Sequence, residues 1–179
     1  MKKVLVVTGS VRKNNVNSSV VELVKSRVEG REGVQAEVAD LGELDLPFFN
    51  SPVPPAADGF EIEDERVRAW SELVKGADAV ILVSPEYNHS LSAIQKNAID
   101  WLAKEWTDKP MAFVAYGWSA GMHSLAQLKE IGTVIKWQVA GEPVGLQFAK
   151  DVETSGTIIA KDDVSSRVDV LVDALLAIA

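Results

Sequence analysis

The chain has 179 residues, 47% of them hydrophobic and 25% charged, with a formal net charge of -8 and a pI near 4.8. That length suits one domain over residues 1–179. The acidic balance excludes a nucleic-acid surface, so any bound anion must be held locally. With no cysteine, the chain is barred from thiolate catalysis, disulfides and cysteine-ligated metals, and redox chemistry requires a cofactor.

After Met1-Lys2-Lys3 comes the apolar run 4–7, too soon ended by Gly9, Ser10 and Arg12 for a secretory leader, which places the expected location in the cytoplasm. The run itself reads as a strand buried on both faces. Val20, Val21, Val24 and Val28 recur at helical spacing over 18–28, with Asn17 or Ser18 as the expected N-cap. Residues 34–39 read as a second strand. Residues 41–59 carry four of the seven prolines and predict a long ordered loop or lid. An amphipathic helix is expected over 61–75 with Gly76 at its end, then a strand at 79–83 and a helix at 93–103. A strand at 111–115, a loop at 117–121, a helix at 122–131, a strand at 144–148 and a closing helix at 164–178 complete the chain. No segment is apolar enough over its length to span a membrane.

Alternating strands and helices predict an α/β fold with a parallel sheet, right-handed crossovers and helices on both faces. In a flavodoxin-like three-layer sandwich with five strands in the order 2-1-3-4-5, the loops after strands one, three and four converge on one crevice, where a ligand should sit.

The first of these loops runs from Gly9 to Ser18. It leads into a helix N-terminus, whose unpaired N–H groups favour an anion. Ser10, Asn15, Asn17 and Ser18 add neutral donors, and Arg12 adds a permanent charge suited to phosphate. The rival reading is a capped helix beside a surface arginine. Neither a triphosphate-binding loop nor a Gly-x-Gly-x-x-Gly fingerprint is present, so a single phosphate fits better than a pyrophosphate.

In the second loop, Pro85-Glu86-Tyr87-Asn88, proline stiffens the backbone, asparagine tolerates a turn, and Tyr87 offers a ring for packing. An ordinary strand-to-helix turn is the alternative. The third loop, Tyr116-Gly117-Trp118-Ser119-Ala120-Gly121, pairs two glycines with two aromatics, allowing close backbone approach beside a stacking surface. Trp118 reads equally as a surface or oligomer residue, and Trp101 and Trp106 as core or interface residues. His89 and His123 lie 34 positions apart without paired carboxylates nearby, so no metal site is expected.

Gly9-Ser10-Val11-Arg12 with Asn17, and Pro85-Glu86-Tyr87-Asn88-His89-Ser90 running on to Lys96-Asn97-Ala98-Ile99-Asp100-Trp101, resemble the NAD(P)H-dependent FMN reductase family, which includes quinone, azo-dye and chromate reductases. The resemblance implies non-covalent FMN, NADPH or NADH as donor, and a homodimer or homotetramer. Acceptors would be quinones, azo compounds, free flavins or metal oxyanions. It further implies a phosphate held by Ser10, Arg12, Asn15, Asn17 and Ser18. The ring would be lined by Pro85, Glu86, Tyr87 and Asn88 on one side and Gly117, Trp118 and Ser119 on the other. No side chain is assigned a catalytic role, because the flavin carries the chemistry. Gln95 stands where the family usually has leucine, which implies altered packing at the subunit contact. The other expectations are a one-electron carrier that shares the fold and FMN, and a flavin-sensing module without turnover. Rapid two-electron reduction by NADPH separates the enzyme from both.

Overall fold

The computed structural model describes residues 1–13 and 16–179. Its elements in chain order are β1 (Lys2–Val7), α1 (Val16–Glu29), β2 (Val34–Ala39), α2 (Leu41–Leu44), α3 (Glu65–Lys75), β3 (Ala79–Pro85), α4 (Ala93–Asp100), β4 (Pro110–Gly117), α5 (Met122–Ile135), β5 (Gln138–Val139), β6 (Val144–Gln147) and α6 (Lys161–Ile178). Every strand pairing is parallel and the order is β2-β1-β3-β4, as the alternating pattern predicts. The fifth position is filled in two pieces. β5 pairs with the start of β4 and β6 with its end. Between them Gly141 takes φ 56° and Pro143 has no N–H to give a ladder, so the edge strand is interrupted.

The apolar runs place alternate side chains on opposite faces. Val4, Val6, Ile81, Val83 and Val114 enter a core of valine, leucine and alanine under α1 and α6. Leu5, Val7, Val80, Leu82 and Phe113 enter the other core, under α3, α4 and α5, where Trp70, Trp101, Trp106 and Trp137 pack together. Trp106 and Trp101 are thereby core residues, and the Trp70 and Trp106 indoles donate to the carbonyls of Ala98 and Ile99. Burying each large side chain contributes about 1.5–3 kcal/mol.

Several boundaries differ from expectation for local reasons. α1 begins at Val16, which puts Asn17 and Ser18 inside its first turn and removes either from the cap. α3 begins at Glu65, because Asp64 caps it by accepting the N–H of Arg66 at 2.8 Å. Gly76 closes α3 at φ -73°, so no left-handed cap is involved.

The proline-rich segment is pinned, not loose. Asn97 on α4 accepts the N–H of Phe49 at 2.8 Å and donates to the carbonyl of Pro47 at 2.9 Å. The Trp101 indole donates to the same carbonyl at 2.7 Å, and its ring meets Phe49 edge-on. Gln95, 1% exposed, lies against β3 and Gly9, with its Nε2 facing the carbonyl of Val83.

Candidate functional site

The three loops after β1, β3 and β4 are joined by direct bonds. Ser10 Oγ and the Tyr87 hydroxyl lie 2.6 Å apart, tying the first loop to the second. The N–H of Glu86 donates to the carbonyl of Tyr116 at 2.9 Å, tying the second to the third. Ser92, the N-cap of α4, donates its hydroxyl to the carbonyl of Gly9 in a short bond. Gly9 is required there, since a Cβ would stand 2.3 Å from the Val83 carbonyl oxygen and 2.7 Å from Pro85 Cδ. A cavity of about 400 Å³ opens between Ser10, Arg12, Leu46, Phe48 and Tyr87.

At the first loop, Arg12 lies exposed with its guanidinium carbon 5.8 Å from the centre of the Tyr87 ring, and it has no carboxylate partner among the described residues. Asn17 is buried, and its Nδ2 has no hydrogen-bonding partner among those residues. Leaving a buried N–H unpaired costs about 1–3 kcal/mol, which an acceptor from outside the chain would recover. No acidic residue stands in the first turn of α1 to neutralise its positive end. Ser18 is exposed on that turn. Asn15 lies outside the described residues.

Tyr116, the penultimate residue of β4 and read from sequence as one of the two aromatics of the third loop, also belongs to this group. Burial raises its phenol well above the ordinary value. Hydrogen bonding from Asn17 and Ser10 and the charge of Arg12 oppose that shift, and Tyr87 reinforces it, which couples the phenol to the first two loops. These donors fit a phosphate monoester: one fixed cation, a helix N-terminus, an unpaired amide and hydroxyls.

The second loop is a two-residue turn. Asn88 and His89 take φ 51° and 61°, closed by reciprocal bonds between Tyr87 and Ser90 at 2.9 and 3.0 Å. Pro85 is buried at the end of β3. Glu86 acts as a cap from a distance: its Oε2 accepts the N–H of His123 at 2.9 Å, at the start of α5, where Gly121 provides no side-chain cap. In the third loop, Gly117 would bring a Cβ within 3.0 Å of Glu86 Cβ. Ser119 accepts the N–H of Met122 through its carbonyl at 3.1 Å. Trp118 is 68% exposed and packs edge-on against Phe148 at 5.4 Å, leaving an open aromatic surface beside the crevice. The structure thus brings together Ser10, Arg12, Asn17, Pro85, Glu86, Tyr87 and Gly117, whereas Ser18, Asn88 and Trp118 stand at the periphery.

The family model for NADPH-dependent FMN reductase matches residues 2–151. An NAD(P)H-dependent FMN reductase of a Nectria species is 33% identical over 88% of this chain and 81% of its own length. An NADPH:quinone oxidoreductase of Arabidopsis thaliana is 30% identical over 79% of this chain and 71% of its own. Among solved structures, the flavoenzyme NAD(P)H:(acceptor) oxidoreductase from Paracoccus denitrificans superposes with a TM-score of 0.76 at 27% identity, covering 99% of this chain and 98% of that one.

Proposed function

Because this chain belongs to the NADPH-dependent FMN reductase family, we propose that its crevice holds FMN without a covalent link. We further propose that the enzyme passes electrons from NADPH or NADH to a flat, electron-poor acceptor, a quinone first, with azo compounds, free flavins and metal oxyanions as others. When bound, FMN supplies two-electron redox capacity that no side chain of a cysteine-free protein offers.

The observation that carries this reading is the Asn17 amide, buried without a partner among the described residues in the first turn of α1, in the same group as Ser10, Arg12 and Tyr116. Arg12, Asn17, Ser10 and the first N–H groups of α1, with Ser18, hold the phosphate; Asn15 joins them on the resemblance alone. Pro85, Glu86, Tyr87 and Asn88 form one wall for the ring, and Gly117, Trp118 and Ser119 the other. Glu86 contributes by fixing the wall to α5, since its carboxylate is engaged by the His123 N–H. The chain moves no proton in this scheme. It orients donor and acceptor over an open ring face, and proximity supplies the acceleration.

An apolar groove of about 760 Å³ between α4 and α5, bounded by Ile99, Leu102, Ile131, Val134 and Ile135, supports association into a homodimer or homotetramer. No helix of the described residues is long and apolar enough to cross a membrane. Work in the cytoplasm, where reduced nicotinamides are available, suits this chemistry. The test is optical. Purified protein is expected to show oxidised-flavin absorbance, and anaerobic mixing with NADPH should bleach it rapidly by two electrons. Folded protein that stays colourless and takes up no added FMN would refute the proposal.

A further inference from the structure

The cavity bounded by Ser10, Phe48 and Tyr87 includes neither histidine. Both instead meet at the junction of the second loop with α5. Glu86, His89 and His123 each offer one potential ligand atom there, and these atoms all lie within 4.8 Å of one another. The imidazole rings face each other with centroids 4.0 Å apart and planes 19° from parallel. The separation of 34 positions that argued against a metal site is removed by the fold.

Each group is held in place by other contacts. His89 occupies the second corner of the left-handed turn. Gln127 of α5 accepts from the Ser90 hydroxyl at 2.9 Å and the Leu91 N–H at 3.2 Å, and donates to the His89 carbonyl at 3.3 Å. The turn is thereby tied to α5. His123 is the second residue of α5, and its N–H is held by Glu86. None of these bonds uses an imidazole. A turn of this shape is served as well by asparagine or glycine, and the helix position needs only its N–H. Apart from stacking on each other, the rings are unused by these contacts, and none of their four nitrogens has a hydrogen-bonding partner among the described residues.

We propose that Glu86, His89 and His123 form a three-ligand site for a divalent transition-metal ion of the zinc class, with a fourth position open to water. Two imidazole nitrogens and one carboxylate oxygen suit zinc and its neighbours and are too nitrogen-rich for magnesium or calcium. Bonds of about 2.0–2.2 Å require ligand atoms roughly 3.3 Å apart. The second torsion of histidine is soft, so ring rotation closes the gap. The Glu86 carboxylate has lone pairs enough to keep the His123 N–H while ligating. The bound ion would clamp the Pro85–Asn88 loop to α5.

The test uses the full chain as purified, without an affinity tag, and does not depend on flavin content. Calorimetric titration with zinc chloride should give one ion per chain. His89→Asn and His123→Asn should each weaken binding by more than the roughly 10- to 100-fold typical of losing an outer-shell partner. Asparagine keeps the left-handed turn, and unchanged circular dichroism would establish that both variants fold. With cupric ion as probe, electron paramagnetic resonance should show coupling to two nitrogens in the native chain and one in each variant. No zinc uptake by the native chain, or uptake equal in native chain and variants, would overturn the proposal.

Discussion

Near the carboxyl end of α1, Arg27 and Arg31 share the carboxylate of Asp169 on α6, and Arg31 also reaches Asp173 at 2.9 Å and the Arg27 carbonyl at 2.9 Å. Near the amino end, Arg12 faces an aromatic ring with no carboxylate beside it, and Asn17 keeps an amide buried without a partner among the described residues. A similar economy marks buried Asp151, which grips Arg167 at 2.6 Å and the Gln147 N–H at 2.8 Å. At the carboxyl end of α1 the charges are satisfied within the chain; at the amino end, where the proposed phosphate site lies, a cation without a carboxylate and an amide without a partner among the described residues remain, at some cost to stability.

Substitutions on either side of this division should separate stability from binding. The largest effect is expected from Asp151→Ala, which leaves the Gln147 N–H without its acceptor and Arg167 with only the Gly145 carbonyl and Asp163. Breaking a fully buried pair costs 3–5 kcal/mol, and since Arg167 is partly solvated a loss of about 2–4 kcal/mol in urea unfolding is expected. FMN content should change little. Arg12→Ala should do the reverse, lowering FMN affinity by roughly 1.5–3 kcal/mol for each charge-assisted bond while leaving the unfolding midpoint of the apo-protein in place. Fluorescence titration with FMN checks it, and wild-type affinity would remove Arg12 from the phosphate site. Asn17→Leu sharpens the contrast further. It should stabilise the apo-protein by about 1 kcal/mol, by deleting an unpaired buried amide, and weaken FMN by a similar amount.

The smallest effect concerns pH. Hydrogen bonds from Arg27, then Arg31, hold the Asp169 carboxyl below its ordinary value against the opposing pull of burial. A carboxylate lowered in the folded state stabilises above its unfolded value, about 3.9, and loses that contribution as pH falls through the folded one. The stability difference between the native chain and Asp169→Asn should therefore be constant above about pH 4 and vanish as pH falls through the lowered folded value.

Much of this architecture was legible because strands buried on both faces must be continuous apolar runs, as 4–7 and 79–83 are. β5 escaped notice because it comprises two exposed residues with no run to read. The early end of α4 was hidden too: Trp101 turns to serve Pro47, a contact 54 positions away. In the site, the loops were readable from their places at strand ends and their Gly, Pro, Ser and Asn content. The tasks of Tyr116, Glu86, Gln95 and His123 were not, because each depends on which neighbour the crossovers deliver.

The clasp of Asn97 and Trp101 on Pro47 and Phe49 also fixes what borders the cavity. Phe48, 78% exposed between the clasped residues, lines it from a backbone held by three hydrogen bonds. On the proposed function this clasp is a stationary jamb that sorts acceptors by thickness and flatness, and turnover should then be insensitive to thickened solvent.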